Sequence, residues 1–178
     1  DVIIDLVDAT NIERNLYLTT QLIETGVPVV VALNMADLIE KRGLKIDTKR
    51  LSMVLGCPII ETSALKGTGL KELIAEAVKV AKNNDVVLVF AGLTENYESE
   101  GVDRETLDMP ENQNKLIDEI CNVNENVIVV LSNGSPILMP WKDKVKGILA
   151  GCIGGEAGGK AVVDCILGNV NPNGKLAE

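Results

Sequence analysis

Six short apolar stretches rich in β-branched residues punctuate the chain. They are "VIIDLVD" (2–8), "PVVVALN" (28–34), "PIIETS" (58–63), "DVVLVFAG" (85–92), "NVIVVLSNG" (126–134) and, more weakly, "KGILAG" (146–151). Between them, "NLYLTTQLIETG", "DTKRLSMVLG", "GLKELIAEAVKVAKNN" and "ENQNKLIDEICNVN" place apolar residues at helical spacing. Asp47 and Thr68 are expected helix starts, Gly26 and Gly56 expected stops, and "GGEAGGKAVVDCILG" closes with another helix. Strands that are nearly all apolar, separated by helices, imply a parallel sheet covered on both faces. The expectation is an α/β fold: a doubly wound, mostly parallel sheet of about six strands with helices on both faces. Ligands of such sheets sit beyond the carboxyl ends of the strands, here the loops after Val7, Leu33, Thr62, Phe90 and Leu131.

Composition narrows the function classes. At 178 residues the chain makes one domain or two small ones. Hydrophobic residues make up 46% and aromatics 2%, so Val, Ile, Leu and Ala must build the core. A net charge of −9, with no basic stripe, argues against nonspecific nucleic-acid binding. The absence of histidine excludes His-based triads and His-ligated metals. Cys57, Cys121, Cys152 and Cys165 are widely spaced with no CxxC, so no metal site is expected. They read as reduced, mostly buried thiols of a cytoplasmic chain. No apolar run approaches the ~18–20 residues of a membrane span. The sequence opens at Asp1, with a strand already under way at Val2, and so reads as a segment cut from something longer.

The loop after the second strand holds "NMAD" (34–37). A carboxylate can accept from both N1–H and N2–H₂ of guanine, and a carboxamide can serve the O6/N7 side. Asp37 and Asn34 are the right types at the right spacing. Adenine would leave the carboxylate unpaired, which is the source of discrimination. In the next loop, "TSALKG" (62–67), backbone N–H groups of Ser63 and Ala64 could face O6. The competing reading of "NMAD" alone is an ordinary Asx turn at a strand end.

With "DLVDATNIERNLYLTTQLIETGVPVVVALNMADLIEKRGLKID" and "LSMVLGCPIIETSALKGTGLKELI", residues 1–83 resemble the second half of the GTPase domain of bacterial ferrous-iron transport protein B. The resemblance implies that Asn34 and Asp37 are the base-specificity pair and Ser63, Ala64 and Leu65 the second base loop. Met35 stands where most small GTPases have Lys, which implies less stacking on the base and weaker binding. No G-x-x-x-x-G-K-[ST] occurs. Without that loop and its Mg²⁺, phosphoryl transfer loses its electrostatic stabilisation. GTP hydrolysis is not expected. GTP or GDP would be held weakly, through the base.

Residues 85–178 resemble a different family. "ESEGVDR", "LDMPENQNKLI", "NGSPILMPW" and "GGEAGGKAVVDCILGNVNPNGKL" are similar, in that order, to the C-terminal α/β sandwich domain of glycoside hydrolase family 3, of the β-glucosidase-like kind. Glycosidases flank the scissile bond with two carboxyl groups. The resemblance implies that Glu100 is the acid/base, with Glu98 the second candidate, and that the Asp nucleophile belongs to a separate barrel domain. Asp103 and Arg104 are expected to order the loop through a salt bridge. Trp141 is read as a packing anchor rather than a sugar platform, and "GGEAGG" (154–159) as a tight strand-to-helix turn.

The join falls in "LIAEAVKVAKNNDVVLVF" (73–90), with no linker composition. Residues 1–83 and 84–178 are thus expected as two partial segments merging into one sheet, a flavodoxin-like/P-loop-half hybrid. The leading functional expectation is a chimera without full catalytic activity and, at most, weak guanine-nucleotide binding. The alternatives are a β-glucosidase-related fragment that needs a barrel domain, and a ferrous-iron transporter GTPase fragment.

Overall fold

The computed structural model describes residues 1–41, 43–63, 68–101, 103–155 and 157–175. Six strands form one sheet: β1 Val2–Asp8, β2 Val29–Asn34, β3 Ile59–Glu61, β4 Val87–Gly92, β5 Val127–Ser132 and β6 Gly147–Ala150. The helices are α1 Ile12–Glu24, α2 Ala36–Lys41, α3 Thr48–Leu55, α4 Leu70–Lys82, α5 Glu111–Cys121 and α6 Gly158–Ile166. Strand order is β3-β2-β1-β4-β5-β6, and every pairing between these strands is parallel. The order reverses between β1 and β4, which makes that boundary the switch point of the sheet. It is also where the two expected segments meet, with Val2 opposite Val87 and Asp5 opposite Phe90. The sheet is therefore continuous across the join.

The alternation of side chains along β1 builds two cores. Val2 and Ile4 face Leu73 and Ala77 of α4 and Leu116, Ile117 and Ile120 of α5. Ile3 and Val7 face Leu22 of α1, with Val162 and Ile166 of α6 packed around them. Helices thus cover both faces. Between β5 and β6 no helix forms, and Trp141 fills the space. It is 1% exposed, belongs to the first core and donates its indole N–H to Asn114 Oδ1 at 2.9 Å. That burial fits the packing-anchor reading.

Of the helix starts and stops expected from the sequence, Thr68 departs from the structure. Asp47 caps α3 by accepting from the Arg50 N–H, and Gly56 closes it at φ 70°. Thr68, the expected start of α4, instead bridges to Ser63, and the helix is entered through Gly69 at φ 72°. A Cβ on Gly69 would lie 1.8 Å from the Glu61 carbonyl oxygen, so only glycine fits that approach. The six-residue α2 was not expected, because its few residues carry no readable period. All four cysteines are free, but only Cys57 is buried and Cys152 is exposed, against the expectation of mostly buried thiols. Among the described residues no helix is long and apolar enough to cross a membrane.

One continuous sheet should unfold in one step. Far-ultraviolet circular dichroism and the fluorescence of the single tryptophan are expected to give coincident denaturation curves; separated midpoints would contradict the merged sheet. Trp141→Ala should cost about 3–5 kcal/mol through the cavity it leaves.

Candidate functional site

The carboxyl ends of β1, β4 and β5 open on a cavity of about 800 Å³, floored by Asp5 and Asp8 and walled by α1, α6 and the loops after β4 and β6. Asp5 points toward the second core, on the same side as Ile3 and Val7. It is 3% exposed, and Thr19 of α1 donates its hydroxyl to Oδ2 at 2.7 Å. Burial raises its pKa from 3.8 to about 6, and the Thr19 hydrogen bond limits the rise. Asp8, at the strand end, accepts from both the N–H and the hydroxyl of Thr10. Asn11 donates to Glu95 Oε1 at 2.7 Å, tying the entry of α1 to the loop after β4. The hydroxyl of Thr94, also in the cavity wall, is buried without a partner.

Gly92 ends β4 under tight constraint. Gln113 of α5 accepts from its N–H at 2.9 Å and donates to its C=O at 2.8 Å. A Cβ there would stand 2.0 Å from the Ser132 carbonyl oxygen. The loop that follows is launched in one direction. Its Glu98 is half-buried: Oε1 accepts from the Gly134 N–H at 2.7 Å and Oε2 from the Ser135 hydroxyl at 2.8 Å. Glu100 follows two residues later, exposed, on a turn that reverses at Gly101 with φ 78°. The salt bridge expected between Asp103 and Arg104 is not among the contacts of the described residues. The Arg104 guanidinium donates instead to the Ser135 hydroxyl and to the carbonyls of Pro136 and Asp108. Three fixed acceptors match its planar fork better than one mobile neighbouring carboxylate.

The residues of the expected base site lie on the other side of the switch point. Asn34 and Asp37 are 4% and 5% exposed. Asn34 Oδ1 accepts from the Met35 N–H at 2.9 Å and the Thr62 hydroxyl at 3.4 Å. Met35 adopts the left-handed conformation (φ 65°), a strained state for a non-glycine residue that marks the loop as over-determined. Asp37 Oδ2 is buried with no hydrogen-bond partner. Ser63 is buried beside Thr62. Ala64 and Leu65 lie outside the described residues. Asn34 and Glu98 share the cavity wall, whereas Glu100 does not line it. Sequence reasoning missed Asp5, although an acidic residue inside the apolar run "VIIDLVD" was a visible signal.

Comparison with known proteins gives one family match: the glycosyl hydrolase family 3 C-terminal domain matches residues 24–178. The thermostable β-glucosidase B of Acetivibrio thermocellus is 56% identical over 108 residues, which are 61% of this chain and 14% of that protein. The chain therefore spans about a seventh of such relatives. The crystal structure of the Bifidobacterium adolescentis GH3 β-glucosidase superposes with a TM-score of 0.58 at 44% identity, covering 75% of this chain and 20% of that one. The FeoB G-domain from Methanococcus jannaschii gives 0.43 at 41% identity, covering 47% and 53%, a likeness too slight to argue from. Together these favour the glycosidase-fragment alternative over the expectation of a chimera without full activity.

Asp5 makes stability depend on pH. Its folded pKa lies above its unfolded value, so the native state holds a proton that the unfolded chain releases between about pH 3.8 and 6. The stabilisation is complete below that window and lost as pH rises through it, by about 3 kcal/mol in all. Asp5→Asn keeps an acceptor for Thr19 and carries no charge. It is expected to be more stable than the parent at pH 8 and to lose this slope, as read by urea denaturation at a series of pH values. Parallel pH curves for the two proteins would contradict the assignment.

Proposed function

The chain belongs to the glycosyl hydrolase family 3 C-terminal domain family, and from that premise we propose that it supplies the acid/base carboxyl for glycosidic-bond cleavage to a barrel domain that carries the nucleophile. The observation that carries this reading is the loop after β4. Glu100 stands exposed on a turn whose flanks, Glu98 and Arg104, are both fastened to residues 134–136. An exposed carboxyl on such a turn, at the carboxyl ends of a parallel sheet, supports a role in meeting a second domain. Docking of that domain would withdraw Glu100 from water, and desolvation favours the protonated form that a general acid needs. It would donate its proton to the leaving-group oxygen as the second carboxyl attacks the anomeric carbon. In the next step it would take a proton from water to release the sugar. The substrate class is a terminal pyranoside, the class implied by the names of the relatives, which include a β-glucosidase and an exo-α-(1→6)-L-arabinopyranosidase.

A second reading rests on Asp37. A buried carboxylate oxygen without a partner costs about 1–3 kcal/mol, and a donor pair such as guanine N1–H and N2–H₂ would satisfy it. In this reading Asn34, Asp37 and Ser63, with Ala64 and Leu65, hold the base of GDP or GTP, with no contribution to hydrolysis.

Hydrolysis of an aryl β-glucoside tests the first reading. The full chain alone is expected to be inactive. Mixed with a barrel domain that carries the nucleophile it should turn over substrate, and Glu100→Gln should lower kcat by about 10²-fold or more. Turnover unaffected by Glu100→Gln would contradict the role. For the second reading, calorimetry should show heat with guanosine and GDP that Asp37→Asn abolishes; silence at roughly millimolar ligand, a binding energy of about 4 kcal/mol, would end it.

A further inference from the structure

Glu98, Arg104, Leu107 and Asp108 are joined to the segment 134–138. Glu98 takes the Gly134 N–H and the Ser135 hydroxyl at one end of the turn. Arg104 reaches the same Ser135 hydroxyl at 2.9 Å and the Pro136 carbonyl at 2.8 Å from the other end. Beyond it, the Leu138 N–H donates to the Leu107 carbonyl, and Asp108 bridges to Leu138. The receiving segment is itself stiffened, because Asn133 Nδ2 donates to the Ser135 carbonyl at 2.9 Å. A Cβ on Gly134 would make an ordinary contact with Glu98 Oε2 at 3.5 Å and would displace only the end of the exposed Ile153 side chain. Ser135 Oγ is the shared node, donating to Glu98 and accepting from Arg104.

We propose that Glu98 and Arg104 are positioning residues that fix the turn bearing Glu100, with Ser135 as the common anchor. The inference rests on the reading of Glu100 as the acid/base and assigns Glu98 a different part from it. A carboxylate that already accepts two hydrogen bonds from the facing loop is engaged as an acceptor, which suits it to holding the turn. Glu100, two residues along, is exposed and carries no such hydrogen bond among the described residues. The clamp restricts the turn before substrate arrives, so less of the binding energy is needed to order it. Charge at one end and a planar guanidinium at the other also make the arrangement sensitive to geometry rather than to charge alone.

Two readouts separate the clamp from the catalytic reading. Amide exchange in the full chain comes first, with Glu98→Ala, Glu98→Gln and Arg104→Met. Glu98→Ala is expected to speed exchange of the Gly134 amide by at least about tenfold while leaving β4 and β5 amides unchanged. Glu98→Gln should restore protection, since its carboxamide oxygen still accepts from Gly134. Arg104→Met should speed exchange at Leu138. Unchanged exchange at Gly134 in Glu98→Ala would overturn the clamp, whatever Glu100 does. The second readout is steady-state kinetics of the chain assembled with the barrel. Glu98→Ala should lower kcat by about tenfold or more with KM within about twofold, and Glu98→Gln should recover most of it. A Glu98→Ala kcat equal to that of the parent would overturn the positioning role. If Glu100→Gln retains full kcat, the catalytic reading fails and the exchange result still decides the clamp.

Discussion

The pairing of β1 with β4 is the contact on which the rest of the molecule rests. Both strands are buried on their two faces, and each has its other edge already occupied, β1 by β2 and β4 by β5. Backbone groups on the remaining edges therefore have only each other as partners. Leaving them unpaired would cost about 1–3 kcal/mol for each buried group. The parallel register that results sets Asp5 opposite Phe90 and brings the loop after β1 beside the loop after β4. The cavity, the Asn11–Glu95 hydrogen bond and the launch angle of the Glu98–Arg104 turn all follow from that placement.

The two faces of the sheet differ in what they enclose. On the α4/α5 face, Trp141, Leu116, Ile117 and Ile120 pack together, the Trp141 indole is satisfied by Asn114, and buried Gln113 is satisfied by the Gly92 backbone. On the α1/α6 face a carboxyl, Asp5, is enclosed, and the cavity opens. Both faces hold a core, and the buried carboxyl of Asp5 and the cavity lie on the α1/α6 side.

Much of this was legible in the sequence. All six strands fall within the expected stretches, because β-branched runs bounded by Gly, Pro and Asn leave few other solutions. Asp47 and Gly56 behaved as helix signals do when nothing tertiary intervenes. Thr68 did not, because Gly69 must press against the Glu61 carbonyl, a contact made across the end of β3 and invisible locally. The strand order was not legible either, since periodicity carries no information about which strands are neighbours. At the candidate site, the expectation for Glu100 rests on family resemblance rather than on residue chemistry. Two of the three partners of Arg104, Ser135 and Pro136, lie about thirty residues away, so proximity in sequence pointed to Asp103. Asp5 was visible as an oddity, but its meaning depended on Thr19 docking from α1.

The loop proposed to carry the acid/base follows β4, so it stands on a strand that the β1–β4 pairing ties into the continuous sheet. Native-state hydrogen exchange across the switch point tests this most directly. Amides of Val2–Asp8 and Val87–Gly92 are predicted to exchange only through global opening, with one common free energy and one denaturant dependence. A separate, faster class confined to Val2–Asp8, exchanging while Val87–Gly92 stays protected, would contradict the account.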